Sequence, residues 1–568
     1  MARGATVYCG AHKVDWKILA DAIALLEKVG RDGSINRILK RLSVTKHAPE
    51  YIGNVSSLPA YRLVQNTTGI FRGQDKRVIR TWRYTLEELV SFLAAFQASR
   101  LHDTIYAVLG LASDVEPVHN KDPKQGIFRA GTKIATVRLS KNFEVNYNTP
   151  PLVVFKDFLK HAITKSGSLD IICRPWAPTS GLDADGNPQV IKLPSWIPDL
   201  CRKPFRATKQ LNMVRYNPDP LVGPSTFRHK FYCASGTEKA ECDFRDFEYP
   251  HSLIMGVKGF QLGKIGEIWD SGQFGNIPAR WLTAGGWENE SEPPPDELWR
   301  TLVADRNSQG DDPEGWYPMV FQSAAKERGI HYGFETQRLI NEGTNVAVAE
   351  LFRRVQAVVW NRKLIRVRGN FMLWLAGKGE KSKREGEVED GEHDTEPDTE
   401  HDTEQDEEQE MEQEETKAGD SNRELGRALN GVQIGERRHN GDVHDEKIDE
   451  AKEAEVRRQE KGVQEEVEEK EEEAAALGLA PNDVQKNDLV CIVYGCSVPL
   501  ILRPSGPNGT QTNGTSSFGS TSTEFEDTQT SDETYTLIGE CYIDHMMDGE
   551  AMAYFESRRL TARRFKLV

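Results

Sequence analysis

Apolar residues recur with a helical period in three places along the chain. Trp16, Leu19, Ala20, Ile23 and Leu26 fall at i, i+3, i+4, i+7 and i+10, one face of a helix. Leu86, Leu89, Val90, Leu93 and Phe96 repeat the pattern. In front of them Thr85 and Glu88 have capping-box spacing, in which each side chain satisfies a backbone N–H at the helix start. Phe155, Phe158, Leu159 and Ile163 mark a third helix, with a stop predicted at Ser166-Gly167, where glycine can take the left-handed cap conformation. Three one-sided helices need a common surface to bury against.

Past Gly167 the period shortens. Leu169 to Cys173 reads as a short strand, and Pro175, Pro178, Pro194 and Pro198 then break regular structure. Within that stretch, Leu193-Pro194-Ser195-Trp196-Ile197-Pro198-Asp199 reads as an extended segment that pins a tryptophan into a core. Phe231 to Asp270 alternates, with Gly259 and Gly263 predicted at bends or bulges. Leu298 to Arg306 reads as a short helix and Pro313-Glu314-Gly315 as a turn. Gln356–Trp360, Leu364–Val367 and Phe371–Leu375 read as strands, the last two forming a hairpin across 368–370. Strands are predicted again at 477–481, at Leu489–Tyr494 and Val498–Leu502 across a turn at Gly495, and at Tyr535–Ile543.

This pattern predicts an α+β fold. A mainly helical part, 1–167, packs on a mostly antiparallel β-rich part, 168–377, completed by strands in 477–568. A long acidic low-complexity insert at 378–476 interrupts the β-rich part, and a Ser/Thr/Gly-rich loop occupies 505–530.

Charge sharpens the reading of that insert. The 568-residue chain has a net charge of −16. Residues 378–473 alone hold 37 acidic and 15 basic residues, a net of −22, leaving 51 acidic and 57 basic residues elsewhere. Residues 391–415 carry no large apolar group except Met411, so burial cannot offset the entropy of ordering them, and disorder is expected. Residues 450–476 suit a solvated helix held by i,i+4 charge pairs. The insert as a whole reads as a solvated spacer, or else as an acidic partner-binding tail.

Several function classes are disfavoured. No compact Lys/Arg stripe with interleaved aromatics is read along the chain, so nucleic acid is not indicated. No run of 18 apolar residues suggests a membrane span, and Met1 to Gly10 does not read as a signal peptide, so a cytoplasmic chain is expected. The eight cysteines do not form a disulfide framework; Cys173, Cys491, Cys496 and Cys541 lie in or beside apolar runs and read as buried thiols. Cys233 and Cys242 could pair only in an oxidising compartment.

Isolated residues offer chemistry only weakly. His102-Asp103 has the composition of a general-base pair but stands before an apolar run, where a cap is the simpler reading. His545, Asp548, Glu540 and Glu550 lack the paired spacing of metal ligands. Cys491 and Cys496 are five apart across a turn, which a thiol pair could use. Gly256, Gly259 and Gly263 precede no Lys-Ser/Thr and no helix, so they make no phosphate loop. No catalytic, cofactor-binding or metal-binding residue is therefore assigned, no cofactor is implied, and the chain is not expected to be an enzyme.

Several phrases, taken in order, resemble one family. Thr6-Val7-Tyr8-Cys9-Gly10 with Trp16 and Ala20–Ile23, then His102-Asp103-Thr104-Ile105-Tyr106-Ala107-Val108-Leu109-Gly110-Leu111-Ala112, resemble fungal heterokaryon-incompatibility proteins. Val145-Asn146-Tyr147, Ser168-Leu169-Asp170-Ile171 and Leu193–Asp199 follow in that family's order. So do Asn487–Cys491, Val498–Arg503, Gly539-Glu540-Cys541-Tyr542 and Met547-Asp548-Gly549-Glu550. The resemblance covers the region C-terminal to the family's signature domain and most of the chain outside the two inserts. That N-terminal domain, similar to TIR domains and linked to regulated cell death after non-self fusion, carries phrases absent from this sequence. The resemblance implies a non-catalytic interaction or regulatory part with an unidentified protein partner. The alternatives are a truncated gene model, whose effector domain lies upstream of Met1, and a decayed paralogue.

Overall fold

The computed structural model describes residues 6–31, 84–94, 98–115, 145–183, 186–207, 213–225, 229–342, 346–369, 475–505, 533–558 and 560–568, with a few isolated positions besides. The acidic tract, the Ser/Thr/Gly stretch and Phe96 lie outside them.

The three periodic segments are helices. β1 (Thr6–Cys9) and β2 (His12–Asp15) form a hairpin that leads into α1 (Trp16–Arg31). The α1 face that the spacing selects is only half-buried, with Leu26 37% exposed, and Ile18 and Leu25 on the opposite side are 63% and 62% exposed. α2 (Leu86–Leu93) carries both halves of its capping box: Glu88 N–H donates to Thr85 Oγ1 at 3.3 Å, and Thr85 N–H donates to Glu88 Oε2 at 2.6 Å. α3 (Asp103–Tyr106) is a single turn. α4 (Pro151–Ser166) ends where its glycine predicts, with Gly167 at φ +68° donating its N–H to Ile163 O at 2.8 Å. Phe155 and Phe158 on α4 meet Trp176 edge-on at 5.2 and 4.8 Å between ring centres. All three are fully buried, and each phenylalanine contributes roughly 1.5–3 kcal/mol by burial.

Leu169–Cys173 is not a strand. Asp170–Ile172 forms a 3-10 turn. Leu169 N–H donates to Gly495 O at 2.9 Å, Asp170 N–H donates to the Ser168 hydroxyl at 3.1 Å, and Cys173 N–H closes the turn on Asp170 O at 3.0 Å. The local side-chain bond draws the backbone into a turn that an apolar run alone does not reveal. In the proline-rich segment Trp196 is fully buried as expected and its Nε1 donates to Leu253 O at 2.9 Å, but the segment is not extended there: Ile197 N–H donates to Pro194 O at 3.0 Å and closes a turn over Ser195 and Trp196. Two small hairpins flank it, β3 (Ser180–Leu182) with β4 (Pro188–Val190), and β5 (Phe205–Ala207) with β6 (Met213–Arg215).

The main sheet is built on one long strand. β7 (Cys242–Asp243) pairs with β8 (Met255–Ser271). The other strands are β9 (Lys363–Arg368), β10 (Ala475–Ala480), β11 (Leu489–Val493), β12 (Leu500–Ser505), β13 (Thr534–Glu540), β14 (Tyr542–Ile543) and β15 (Arg563–Leu567). Pairings β8–β11, β11–β12, β12–β13, β13–β15 and β15–β8 form a closed circuit, antiparallel except for β13–β15. Alternate residues Cys491 and Val493, Leu500 and Leu502, Tyr535 and Leu537, Phe565 and Leu567, and Met255 and Val257 enter the core, as the two-residue strand period requires. The second half of β8 pairs with β9, followed in order by β10 and β14. β8 serves both halves by bending: its register against β11 slips between Gln261 and Gly263, a bulge at the predicted glycine. At Gly259 the constraint is close approach. A Cβ there would lie 2.2 Å from Ile492 O, so only glycine fits.

β9 and β10 are antiparallel neighbours, Lys363 opposite Ala480 and Arg368 opposite Ala475. The strands on either side of the acidic tract thus belong to one sheet, and β10, beginning at Ala475, takes up the last two residues of the tract expected to end at 476. Likewise β12 and β13, on either side of the Ser/Thr/Gly stretch, pair with each other.

The stretch 168–377 is not strand-rich throughout. Between Ala279 and Val359 it holds α5 (Ala279–Ala284), α6 (Asp296–Val303), α7 (Tyr317–Arg328), α8 (Thr336–Glu342) and α9 (Val346–Val359). Gln356–Val359 therefore ends α9 and is not a strand, and Phe371 and Trp374 are helical, so no hairpin crosses 368–370. Short apolar runs fit a buried helix as well as a strand; here Val355, Val358 and Val359 are buried on α9, and the partners of β9 are the distant β8 and β10. α10 (Glu550–Ser557) precedes β15. The architecture is α+β with a mostly antiparallel main sheet. No helix among the described residues is long and apolar enough to cross a membrane.

Candidate functional site

Chemistry-bearing residues singled out in the sequence end up in pairs that hold the fold. His102 and Asp103 do not face each other. Ring nitrogen Nε2 of His102 lies 2.7 Å from Thr149 O, and Asp103 accepts from Tyr147 Oη at 2.5 Å, so His102 is not a side-chain cap either. The bond to Asp103, followed by burial, pushes the Tyr147 phenol up to about 12.

Asp170 Oδ1 accepts from Ser497 N–H at 2.8 Å. Ser195 Oγ accepts from Leu537 N–H at 2.9 Å and donates to Val568 O. Arg503 forks onto Asp488, with both contacts at 2.8 Å.

Glu540 is buried as well. Its carboxylate accepts from Leu221 N–H at 2.7 Å, Val222 N–H at 3.3 Å and Arg362 Nη2 at 2.7 Å. Arg362 also donates to Val358 O and Asp219 O, at 2.7 and 3.0 Å. Burial pushes the Glu540 carboxyl up and the Arg362 guanidinium down, so much of their attraction goes to offsetting desolvation. Asp548 takes Arg306 Nη2 at 2.6 Å on both oxygens, and Glu550 accepts from Asp548 N–H at 2.8 Å.

His545 Nε2 stands 3.4 Å from Asp544 with a 70% exposed side chain. Asp544 is buried, accepts from Tyr542 Oη at 2.8 Å, and is pushed up to about 6, first by burial. Among the described residues no cluster of three or more His, Cys, Asp or Glu could hold a metal ion.

Cys491 and Cys496 are both buried and free, and the thiol beside Cys496 is Cys173, pushed well up by that contact and by burial. Cys233 and Cys242 are also free thiols. Gly256, Gly259 and Gly263 all lie within β8.

Unspent polar groups occur elsewhere. An open groove of about 570 Å³ runs beside β4 and the Leu193–Asp199 segment. Val190, Leu193 and Ile197 form apolar wall, and Lys192 and Arg202 stand over it. Both cations are exposed, and neither side chain has a hydrogen-bond or ion-pair partner among the described residues. One carboxylate lines the groove, Asp199, and it already accepts from Cys201 N–H at 2.8 Å. The sequence carries a signal for this site that the expectation of no compact basic stripe missed: residues 192–215 hold six basic residues and one acidic, in a chain of net −16. What the sequence hides is that Arg215 is taken by Asp219 at 2.8 Å and Lys203 by Ala94 O, while Lys192 and Arg202 stay free.

A second groove of about 450 Å³, beside Asp270, Tyr332 and Glu335, is flanked by a fully exposed aromatic ring, Tyr332 at 88%.

Compared with protein-family models, with curated proteins and with solved structures, the chain matches none of them.

Proposed function

We propose that this chain is a non-catalytic interaction or regulatory part of a protein of the heterokaryon-incompatibility kind, acting in non-self recognition and regulated cell death through a protein partner. One observation carries the reading. The polar residues of the family-like phrases bond to distant parts of the chain, in some cases to another of the phrases. Asp103 of one phrase meets Tyr147 of the next, Asp170 meets the backbone beside Val498, and Asp488 meets Arg503. Ser195 reaches across to Leu537. Each of these bonds gives its side chain a structural role, joining segments that are distant in sequence. These phrases therefore read as the joints of a scaffold, and a scaffold presents surfaces.

The reading has two arms of test. Purified full-length chain incubated with NAD should release no nicotinamide above a buffer control; rapid release would sink the non-catalytic reading. Deleting the gene should change the outcome of fusion between otherwise incompatible strains, and unchanged outcomes would remove the recognition role.

A further inference from the structure

The groove beside β4 has an unused strand edge as well as unused cations. Ile191 N–H donates to Thr179 O at 2.9 Å and Asp183 N–H donates to Asn187 O at 2.9 Å. With Ser180 opposite Val190, these bonds make Val190 a position whose own N–H and C=O point away from β3. β3 and β4 form a two-stranded sheet, and the far side of β3 is already taken, since Leu182 N–H donates to Ser99 O at 2.7 Å. The free edge is therefore that of β4, where Val190 is 80% exposed and no described residue bonds its main chain. An edge with an exposed N–H and C=O is a template for an added strand.

We infer that the groove binds an extended acidic peptide carrying at least one apolar side chain, added as a strand along β4. The peptide main chain bonds Val190 N–H and C=O. Its carboxylates meet Lys192 and Arg202, and its apolar side chain lies on Leu193 and Ile197. Charge decides the sign of the partner, because the groove's two cations, Lys192 and Arg202, outnumber its one carboxylate, Asp199. The apolar wall and the strand edge favour a peptide over a bare polyphosphate backbone, which would use the cations and leave the rest of the groove empty. This deepens the interaction reading above by naming the partner's chemistry.

The test uses the full chain and a fluorescein-labelled synthetic peptide alternating Asp or Glu with Val or Ile, read by anisotropy. Binding is expected, weakened by raising salt from about 50 to about 300 mM as screening shortens the reach of the exposed cations. The double substitution Lys192→Glu with Arg202→Glu should weaken it at least tenfold, about 1.4 kcal/mol. Val190→Pro should also weaken it at least tenfold, because it removes the outward N–H and leaves the inward bonds of the neighbouring residues in place. Circular dichroism of each variant, matching the parent, separates lost binding from lost folding. No binding of the peptide overturns the inference, as does binding indifferent to charge reversal. Binding that survives Val190→Pro overturns strand addition. Equal or tighter binding of single-stranded oligonucleotide or of phosphatidylserine vesicles, competing for the same groove, overturns the peptide assignment. None of these outcomes touches the nicotinamide or fusion tests.

Discussion

Arg362 and Arg202 are the same side chain in two settings. Arg362 is 3% exposed, sits against Glu540 and donates to two carbonyls; Arg202 is exposed, stands over an open groove, and its side chain has no hydrogen-bond partner among the described residues. In the buried seam, carboxylates are answered from far along the chain: Glu540 by Arg362 and Asp170 by the Ser497 N–H. In the groove the main-chain edge and the cations are left over. Removing a partner from the first region strands a buried charge, whereas removing one from the second changes little inside the protein. Polar residues that hold a fold and polar residues that meet a partner differ in what stability notices.

The largest way to test this contrast is Glu540→Ala. It leaves Arg362 buried without its carboxylate and frees two backbone N–H groups, so denaturant unfolding should show a loss of about 3–5 kcal/mol. A loss under 1 kcal/mol would erase the distinction between the two regions.

Next comes the pH dependence of Asp544. Its folded carboxyl lies at about 6, above the ordinary 3.8, so the folded state holds the proton more tightly than the unfolded state. Stability from this group is therefore present below pH 4 and is lost as pH rises through about 6. Asp544→Asn should reduce the fall in stability between pH 4.5 and 7 by roughly 1–2 kcal/mol, read from urea midpoints at the two pH values. An unchanged pH profile in the variant would place the titration elsewhere.

Thr85→Ala removes half of the capping box and should cost about 1 kcal/mol in the same assay. Last, Arg202→Glu should shift stability by less than about 0.5 kcal/mol while weakening peptide binding. A large stability loss there would mean that the groove, like the seam, is structural.

The helices show how far sequence reaches. α2 and α4 start and stop where Thr85, Glu88 and Gly167 say, because caps and periodicity act within a few residues. α1 has the same kind of apolar face, yet none of its described residues is fully buried and Leu26 remains 37% exposed, because periodicity names a face without naming what covers it. Gln356–Val359 and Leu364–Val367 look alike as short apolar runs, and one closes α9 while the other becomes β9. The choice follows from neighbours: β9 has β8 on one side and β10 on the other, the latter more than a hundred positions later in sequence. The Leu169–Cys173 turn likewise depends on Gly495 and Ser497.

The candidate site divides in the same way. Composition alone places six basic residues in 192–215. It does not separate Lys192 and Arg202 from Arg215 and Lys203, which the fold occupies. By itself the sequence determined an α+β class, the caps of two helices, a buried tryptophan at 196 and an acidic tract that interrupts the β-rich part. Only the tertiary structure decided which apolar runs are strands, which charges are spent on one another and which edge is left open. Caps and periods are local interactions between residues a few positions apart, whereas strand pairing and the neutralisation of buried charge are long-range and form only when distant segments meet.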